Sequence, residues 1–231
     1  MSISVVDNGD QFEQISSILS EFAVSLPGLI YIPTSKNIGY GQAHNLVINK
    51  CKSKYHLILN PDVILDVDAL KVGLEYLEEN TSVSVIAPKV INEKQEEQHL
   101  CKRYPSLIDL LVRGIGCCTL QKLFSRRLHR YECRDKTINN KPVNVELISG
   151  CFMLCRAECL LKCGGFDNRY FLYFEDFDLS IKLSKYGPVF FLPIMRIVHY
   201  GGNASRKGFR HILMFSSSAI KFFKSNGWKI Y

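Results

Sequence analysis

Three carboxylates, Glu175, Asp176 and Asp178, fall within four positions of this 231-residue chain, directly after Tyr170, Phe171, Tyr173 and Phe174 and directly before a helical pattern. Acids in a first helical turn are favoured by the helix dipole and by free backbone N–H groups, which alone accounts for an ordinary acidic pair. Carboxylates set among aromatic rings are also partly desolvated, and desolvation raises their pKa toward the range useful for proton transfer. The stretch Phe171–Leu183 is therefore the leading candidate for a general base.

Other residues have chemistry suited to an anion. Asp62 ends Asn60-Pro61-Asp62, behind the apolar run Tyr55–Leu59, and an Asp at a strand tip is placed to hold a hard divalent cation. Taken alone it reads rather as a Pro-Asp turn with Asp62 as a helix cap. His199 follows the apolar Ile194–Val198, and by itself, like His44, reads as a structural histidine. Asn37-Ile-Gly39-Tyr-Gly41-Gln-Ala-His-Asn45 is a glycine-bearing loop opening a helix. Its glycines let backbone approach a ligand, and a helix N-terminus suits phosphate or a nucleoside. Asp7 sits at the end of the apolar Ile3–Asp7, before an Asn-Gly turn, where ligands of open α/β sheets gather.

These residues need elements to position them. Strands are predicted at Ile3–Asp7, Gly28–Ile32, Tyr55–Leu59 and Val83–Pro88, with helices at Gln11–Val24, from the glycine loop to about Cys51, and at Val67–Glu78. That alternation predicts an α/β fold with a mostly parallel sheet. Residues 91–141 break the rhythm and read as an excursion carrying a binding surface, with short helices at Ser106–Leu111 and Leu120–Leu128. The core resumes with a strand-like Val143–Leu154, a helix over Arg156–Cys163, the helix after Phe174 ending near Gly187, and a strand at Val189–Leu192. One domain accommodates the whole length: a nucleotide half (1–90), the excursion (91–141), a catalytic half (142–200) and a basic tail (201–231).

Composition narrows the partners. A hydrophobic share of 47% with 22% charged residues is that of a soluble globular protein. The net charge of +7 is unevenly placed: residues 101–141 carry ten Lys/Arg against three acids, and the stretch after Asn203 has no acid. Such regions imply an anionic partner, yet no aromatic-basic motif supports nucleic acid. No apolar run is long enough to span a bilayer. The tail interleaves Phe209, Ile212, Leu213 and Phe222 with lysines; it reads either as packing on the domain or, preferably, as an in-plane contact with the cytoplasmic membrane surface. Nine cysteines without tight pairs read as reduced, buried small hydrophobes.

Taken together, Val-Val-Asp7-Asn-Gly, Asn37-x-Gly39 with Asn45, Asn60-Pro-Asp62, Ser149-Gly150-x-Phe, Gly165-Phe-Asp167, Phe174-Glu175-Asp176-x-Asp178 and Val198-His199 resemble glycosyltransferase family 2, most of all its rhamnosyltransferase-like members. The resemblance implies a GT-A fold and an inverting transfer from a nucleotide-diphosphate sugar, best dTDP-rhamnose, to a lipid-linked or polysaccharide acceptor. It would place Asp7, Asn37, Gly39 and Asn45 in the nucleotide pocket, with Arg206 or Lys207 near the diphosphate. Asp62 and His199 would hold Mg2+ or Mn2+. Asp176 would be the base, Glu175 its support, and Ser149, Gly150 and Asp178 the acceptor contacts. Asn60-Pro-Asp62 is one carboxylate short of the family's Asp-x-Asp, implying weaker metal affinity. The resemblance also implies a strand and helix ahead of Ile3, roughly thirty residues for such a βα unit, expected to be absent here. The alternative from another class is a silent binding module for a glycan, nucleotide or protein.

Overall fold

The computed structural model describes residues 1–9, 12–23, 25–114, 118–201 and 208–231. The elements run β1 (Ile3–Asp7), α1 (Phe12–Ala23), β2 (Leu29–Pro33), α2 (Tyr40–Ile48), β3 (Tyr55–Leu59), β4 (Val63–Leu65), α3 (Ala69–Glu79), β5 (Val85–Ile91), β6 (Glu97–Gln98) and α4 (Leu107–Gly114). Then come α5 (Cys118–Leu123), α6 (Ser125–Tyr131), α7 (Arg134–Thr137), β7 (Val143–Asn144), β8 (Phe152–Arg156), α8 (Ala157–Lys162), α9 (Glu175–Ser184), β9 (Val189–His199) and α10 (Gly208–Asn226).

The α/β class, with a central sheet flanked by helices and a C-terminal helix, is as expected. The main sheet is ordered β3-β8-β5-β9-β4, with β6 on β5 and β7 on β9. Its longest ladder, β5 with β9, is parallel. Antiparallel ladders join β3 to β8, β8 to β5 and β4 to β9. β1 and β2 form a parallel pair hydrogen-bonded only to each other, and β3 pairs only with β8. Among the described residues, one edge of β1 and one edge of β3 thus carry no ladder.

Successive residues of β5 feed opposite faces: Val85 joins Ile48, Ile58, Met153 and Leu179, whereas Ile86 joins Leu77, Phe152, Met195 and Ile197. That period-two division is what a strand covered on both sides requires. Cys101, Cys133, Cys151 and Cys155 are buried free thiols in these layers, and burial pushes the Cys151 thiol up to about 12.

Two expectations are modified. Within 91–141, Asp109, Glu132 and Asp135 pair with Arg127, with Lys102, Arg113 and Arg134, and with Arg103. Half of the ten basic residues there are thus engaged inside the segment. The C-terminal half of the tail packs on the domain: Phe222 and Phe223 are buried with Tyr170 and Phe174. The N-terminal half of α10 leaves Phe209, Ile212 and Leu213 exposed.

Candidate active site

The site lies where the carboxyl ends of β1 and β3, the loop before β8 and the start of α9 meet around Tyr40. The Tyr40 hydroxyl is 2.6 Å from the Gly150 carbonyl and 3.0 Å from Asn60 Oδ1. Burial raises its pKa well above the ordinary phenol value, and Asp176, Glu175 and Asp62 add to the rise. The sequence neighbours Glu175 and Asp176 and the distant Asp62 are thus near enough to bear on one buried hydroxyl. Tyr40 was overlooked in the sequence, although its place immediately after Gly39, at the helix start, was the available signal.

Asp176 is held from two sides. Its Oδ2 accepts the Gly150 N–H at 3.0 Å, and its Oδ1 accepts the Phe177 N–H at 2.9 Å. A Cβ on Gly150 would lie 3.3 Å from both Asp176 Cβ and the Tyr40 hydroxyl, so this turn is pressed against both. Burial raises the Asp176 pKa. Glu175 is buried with Oε2 unpartnered; desolvation first, then the Asp176 charge, pushes it up to about 8. Burial thus favours the protonated form of both carboxyls, with Glu175 pushed up to about 8.

The backbone that aims these acids is strained. Tyr173 and Phe174 sit consecutively at φ 71° and 65°, a region that non-glycine residues occupy at a cost of about 1–3 kcal/mol each and that persists only where surroundings over-determine it. Here α10 does so. Phe174 packs on Phe215 and Phe222 with ring centroids 5.0 and 5.2 Å apart. Ser218 Oγ donates to the Leu172 carbonyl, and the Tyr173 hydroxyl meets His211 Nδ1, both at 2.8 Å.

Asp62 and His199 come together because β4 pairs with the end of β9, Val63 opposite His199. Asp62 Oδ1 lies 3.5 Å from His199 Nε2. A Cβ on Gly201 would fall 2.4 Å from Asp62 Oδ2 and 2.7 Å from Nε2, so only glycine leaves that hollow open. Burial lowers the His199 pKa, against the pull of Asp62, and keeps the ring neutral. A carboxylate and a neutral imidazole at this spacing suit one divalent cation. Among the described residues no third His, Cys, Asp or Glu joins them.

The side expected to take the nucleotide is built from β1 and the glycine loop. Asp7 is buried and accepts the Tyr31 hydroxyl at 2.8 Å and the Gly9 N–H at 3.1 Å. Asn8 bonds Asn37, Ile38 and Gly39, and Asn37 Oδ1 also accepts the Gly39 N–H. Gly39, at φ 93°, makes its closest approach to Phe171, and Gly41 to Phe166. These two glycines thus bring the loop against the segment leading into α9.

Other expected site residues are engaged as follows. Asn45 commits its whole amide to the turn before α9, with Nδ2 donating to the Phe166 carbonyl and Asn168 and Oδ1 accepting the Phe166 N–H. It pins α2 to that turn. Asp178 faces α10, where its Oδ1 accepts the Asn226 amide. Ser149 Oγ accepts the Cys151 N–H at 3.3 Å, beside the Gly150 contact. Arg206 and Lys207 lie outside the described residues.

Known proteins are similar to this chain over most of its length. The family model for glycosyl transferase family 2 matches residues 2–161. The chain is 28% identical over 216 residues to rhamnosyltransferase WbbL of Escherichia coli (strain K12), covering 90% of this chain and 75% of that protein. It is 24% identical to N-acetylglucosaminyl-diphospho-decaprenol L-rhamnosyltransferase of Mycobacterium tuberculosis (strain ATCC 25618 / H37Rv), covering 99% and 76%. Among solved structures, GalNAc-T7 with UDP, GalNAc and Mn2+ superposes with a TM-score of 0.62 at 15% identity, over 87% of this chain and 38% of that one. S. aureus TarS 1–349 in complex with UDP gives 0.56 at 14%, over 96% and 56%. The chain thus spans roughly two fifths and just over half of those two structures, and at these identities the likeness is one of fold.

Proposed function

Because the chain belongs to glycosyltransferase family 2, we propose that it moves a sugar, with inversion, from a nucleotide-diphosphate donor to a hydroxyl of a lipid-linked or polysaccharide acceptor. The observation that carries this reading is that Asp176 and the Tyr40 hydroxyl both bond Gly150, with His199 beside Asp62. Rhamnose from dTDP-rhamnose is the favoured donor group, supported by the relatives' names.

Asp176 accepts the acceptor hydroxyl's proton. The oxygen bonds to the anomeric carbon as the bond from that carbon to the diphosphate breaks, its electron pair leaving with the nucleoside diphosphate. The Gly150 N–H orients one carboxylate oxygen of Asp176 and the Phe177 N–H the other. Glu175, neutral at this pH, offers the acceptor a donor hydrogen. Asp7, Asn37 and Gly39 line the nucleotide side; Ser149 and Gly150 line the acceptor side. Asp62 and His199 would hold Mg2+ or Mn2+, which when bound neutralises charge on the departing diphosphate.

Acceptors of this kind sit at a membrane. No described helix is long and apolar enough to cross one, but Phe209, Ile212 and Leu213 are exposed on α10 with Arg210, Lys221 and Lys224 on the same helix, a pattern that suits an anionic leaflet. A second reading, a silent binding module, is favoured by one feature: the β1–β2 pair that carries Asp7 shares no ladder with the main sheet.

One assay separates them. Incubated with Mg2+ or Mn2+, a membrane extract and a panel of nucleotide sugars, the protein should release nucleoside diphosphate, fastest from dTDP-rhamnose. No release from any donor contradicts the transferase reading.

A further inference from the structure

The amide of Gln98 is spent entirely on His199 and Gly201. Its Nε2 lies 3.2 Å from the His199 carbonyl and 3.3 Å from the Gly201 carbonyl, while its Oε1 lies 2.9 Å from His199 Nδ1. Carbonyl oxygens only accept, so the amide nitrogen must face them and the amide oxygen must face the ring. An amide oxygen also only accepts. His199 Nδ1 therefore carries the hydrogen, and in a neutral imidazole Nε2 is then a bare lone pair. That lone pair points at Asp62, into the hollow that a Cβ on Gly201 would fill.

The placement of Gln98 owes nothing to sequence proximity. It lies on β6, a two-residue strand turned back onto β5 with Val90 opposite Gln98, while Ile91 of β5 pairs with Val198. The register brings the amide across to the end of β9. A residue needed only to fill space there would not have to present an acceptor to Nδ1 and two donors to the chain on either side of Tyr200.

We propose that Gln98 is the positioning residue of the Asp62–His199 pair: it locks His199 in the Nδ1–H tautomer and fixes the Gly201 backbone, so that Nε2 is presented as a ligand. The inference rests on the proposed role of His199 toward a divalent cation. Partners of this kind beyond the ligands themselves typically change metal affinity 10–100-fold when removed.

The experiment is long-range proton–nitrogen NMR on the metal-free, histidine-labelled protein, with Gln98→Met as the isosteric variant lacking the amide and Gln98→Glu as the variant that keeps an acceptor for Nδ1. The parental protein and Gln98→Glu should show His199 with Nδ1 protonated and Nε2 bare; Gln98→Met should lose that tautomer. Mn2+ binding in the presence of dTDP, followed by electron paramagnetic resonance, should weaken about 10–100-fold in Gln98→Met and less in Gln98→Glu. A parental His199 that carries its proton on Nε2, or an unchanged tautomer in folded Gln98→Met, overturns the inference. Should Gln98→Met fail to fold, the parental tautomer and Gln98→Glu decide it. If His199→Ala binds Mn2+ as the parent does, the metal role of His199 fails instead, and the tautomer result stands apart from it.

Discussion

Glu175 contributes a stability that depends on pH in a direction set by its burial. Its folded pKa is raised from 4.5 to about 8, so its contribution is fully present below the unfolded value and is lost as pH rises through about 8. Glu175→Gln, which cannot ionise, should therefore raise the melting temperature at pH 9 and leave it nearly unchanged at pH 4. Each pKa unit recovered is worth about 1.4 kcal/mol, or about 2–4 °C per kcal/mol in a chain of this size; a thermal scan at the two pH values checks it. Gly201→Ala should raise the Mn2+ concentration needed for half-maximal activity without lowering the melting temperature, because its Cβ meets Asp62 and His199. Metal titration of the variant tests this. At this scale the sequence was informative about residue types and less so about directions. Asp62 lies beside His199, and Asp176 sits in the first turn of the helix that the apolar spacing predicts. Asn45 and Asp178, in equally suggestive positions, are spent on tying α2 to a turn and α9 to α10, because the direction a side chain takes off a helix depends on partners far away in the chain. Gln98 was invisible, since its role exists only through the β5–β6 register.

At the scale of elements, α10 clamps the entry to α9. Phe222→Ala should cost about 3–5 kcal/mol as a buried aromatic truncation. It should also lower kcat more than it changes donor affinity, because the Tyr173–Phe174 turn loses the contact that holds it left-handed. Denaturant unfolding combined with steady-state kinetics tests both parts. Asn45→Ala strands the Phe166 N–H and carbonyl and should destabilise by about 1–3 kcal/mol per group left unsatisfied. Many elements are legible from hydrophobic period: α1, α2, α3, α8, α9, β1, β2, β3 and β5 fall within a few residues of expectation, whereas the strand expected over Val143–Leu154 is split into β7 and β8 and β9 runs on to His199. β4 is not legible, because three residues are too short to show alternation. The stretch predicted as one helix at Leu120–Leu128 is two, α5 and α6, since both halves carry apolar residues at helical spacing and only tertiary packing breaks them apart. The aromatic residues of the tail gave no sign of which would be buried: Phe222 and Phe223 are, Phe209 is not.

At the scale of the whole molecule, two surfaces follow from the arrangement. The β1–β2 pair with α1 is thinly covered, with Phe12, Ile18 and Phe22 each at least half exposed. Hydrogen exchange in β1 and β2 should therefore be faster than in β5, β8 and β9, the order expected when local stability tracks buried apolar contact. The exposed N-terminal half of α10 is the proposed membrane contact. Replacing Phe209, Ile212 and Leu213 together with serine should reduce binding to anionic vesicles while leaving the folded core intact; unchanged binding would remove the membrane contact. Deleting the tail would not serve, because Phe222 and Phe223 belong to the core. The central claim is that Asp176 takes the acceptor's proton, and it is tested most directly by comparing sugar transfer by the parent and by Asp176→Asn at saturating donor and acceptor. The variant should bind the nucleotide sugar with parental affinity and transfer it about 10²–10⁴-fold more slowly; transfer at the parental rate would contradict the assignment.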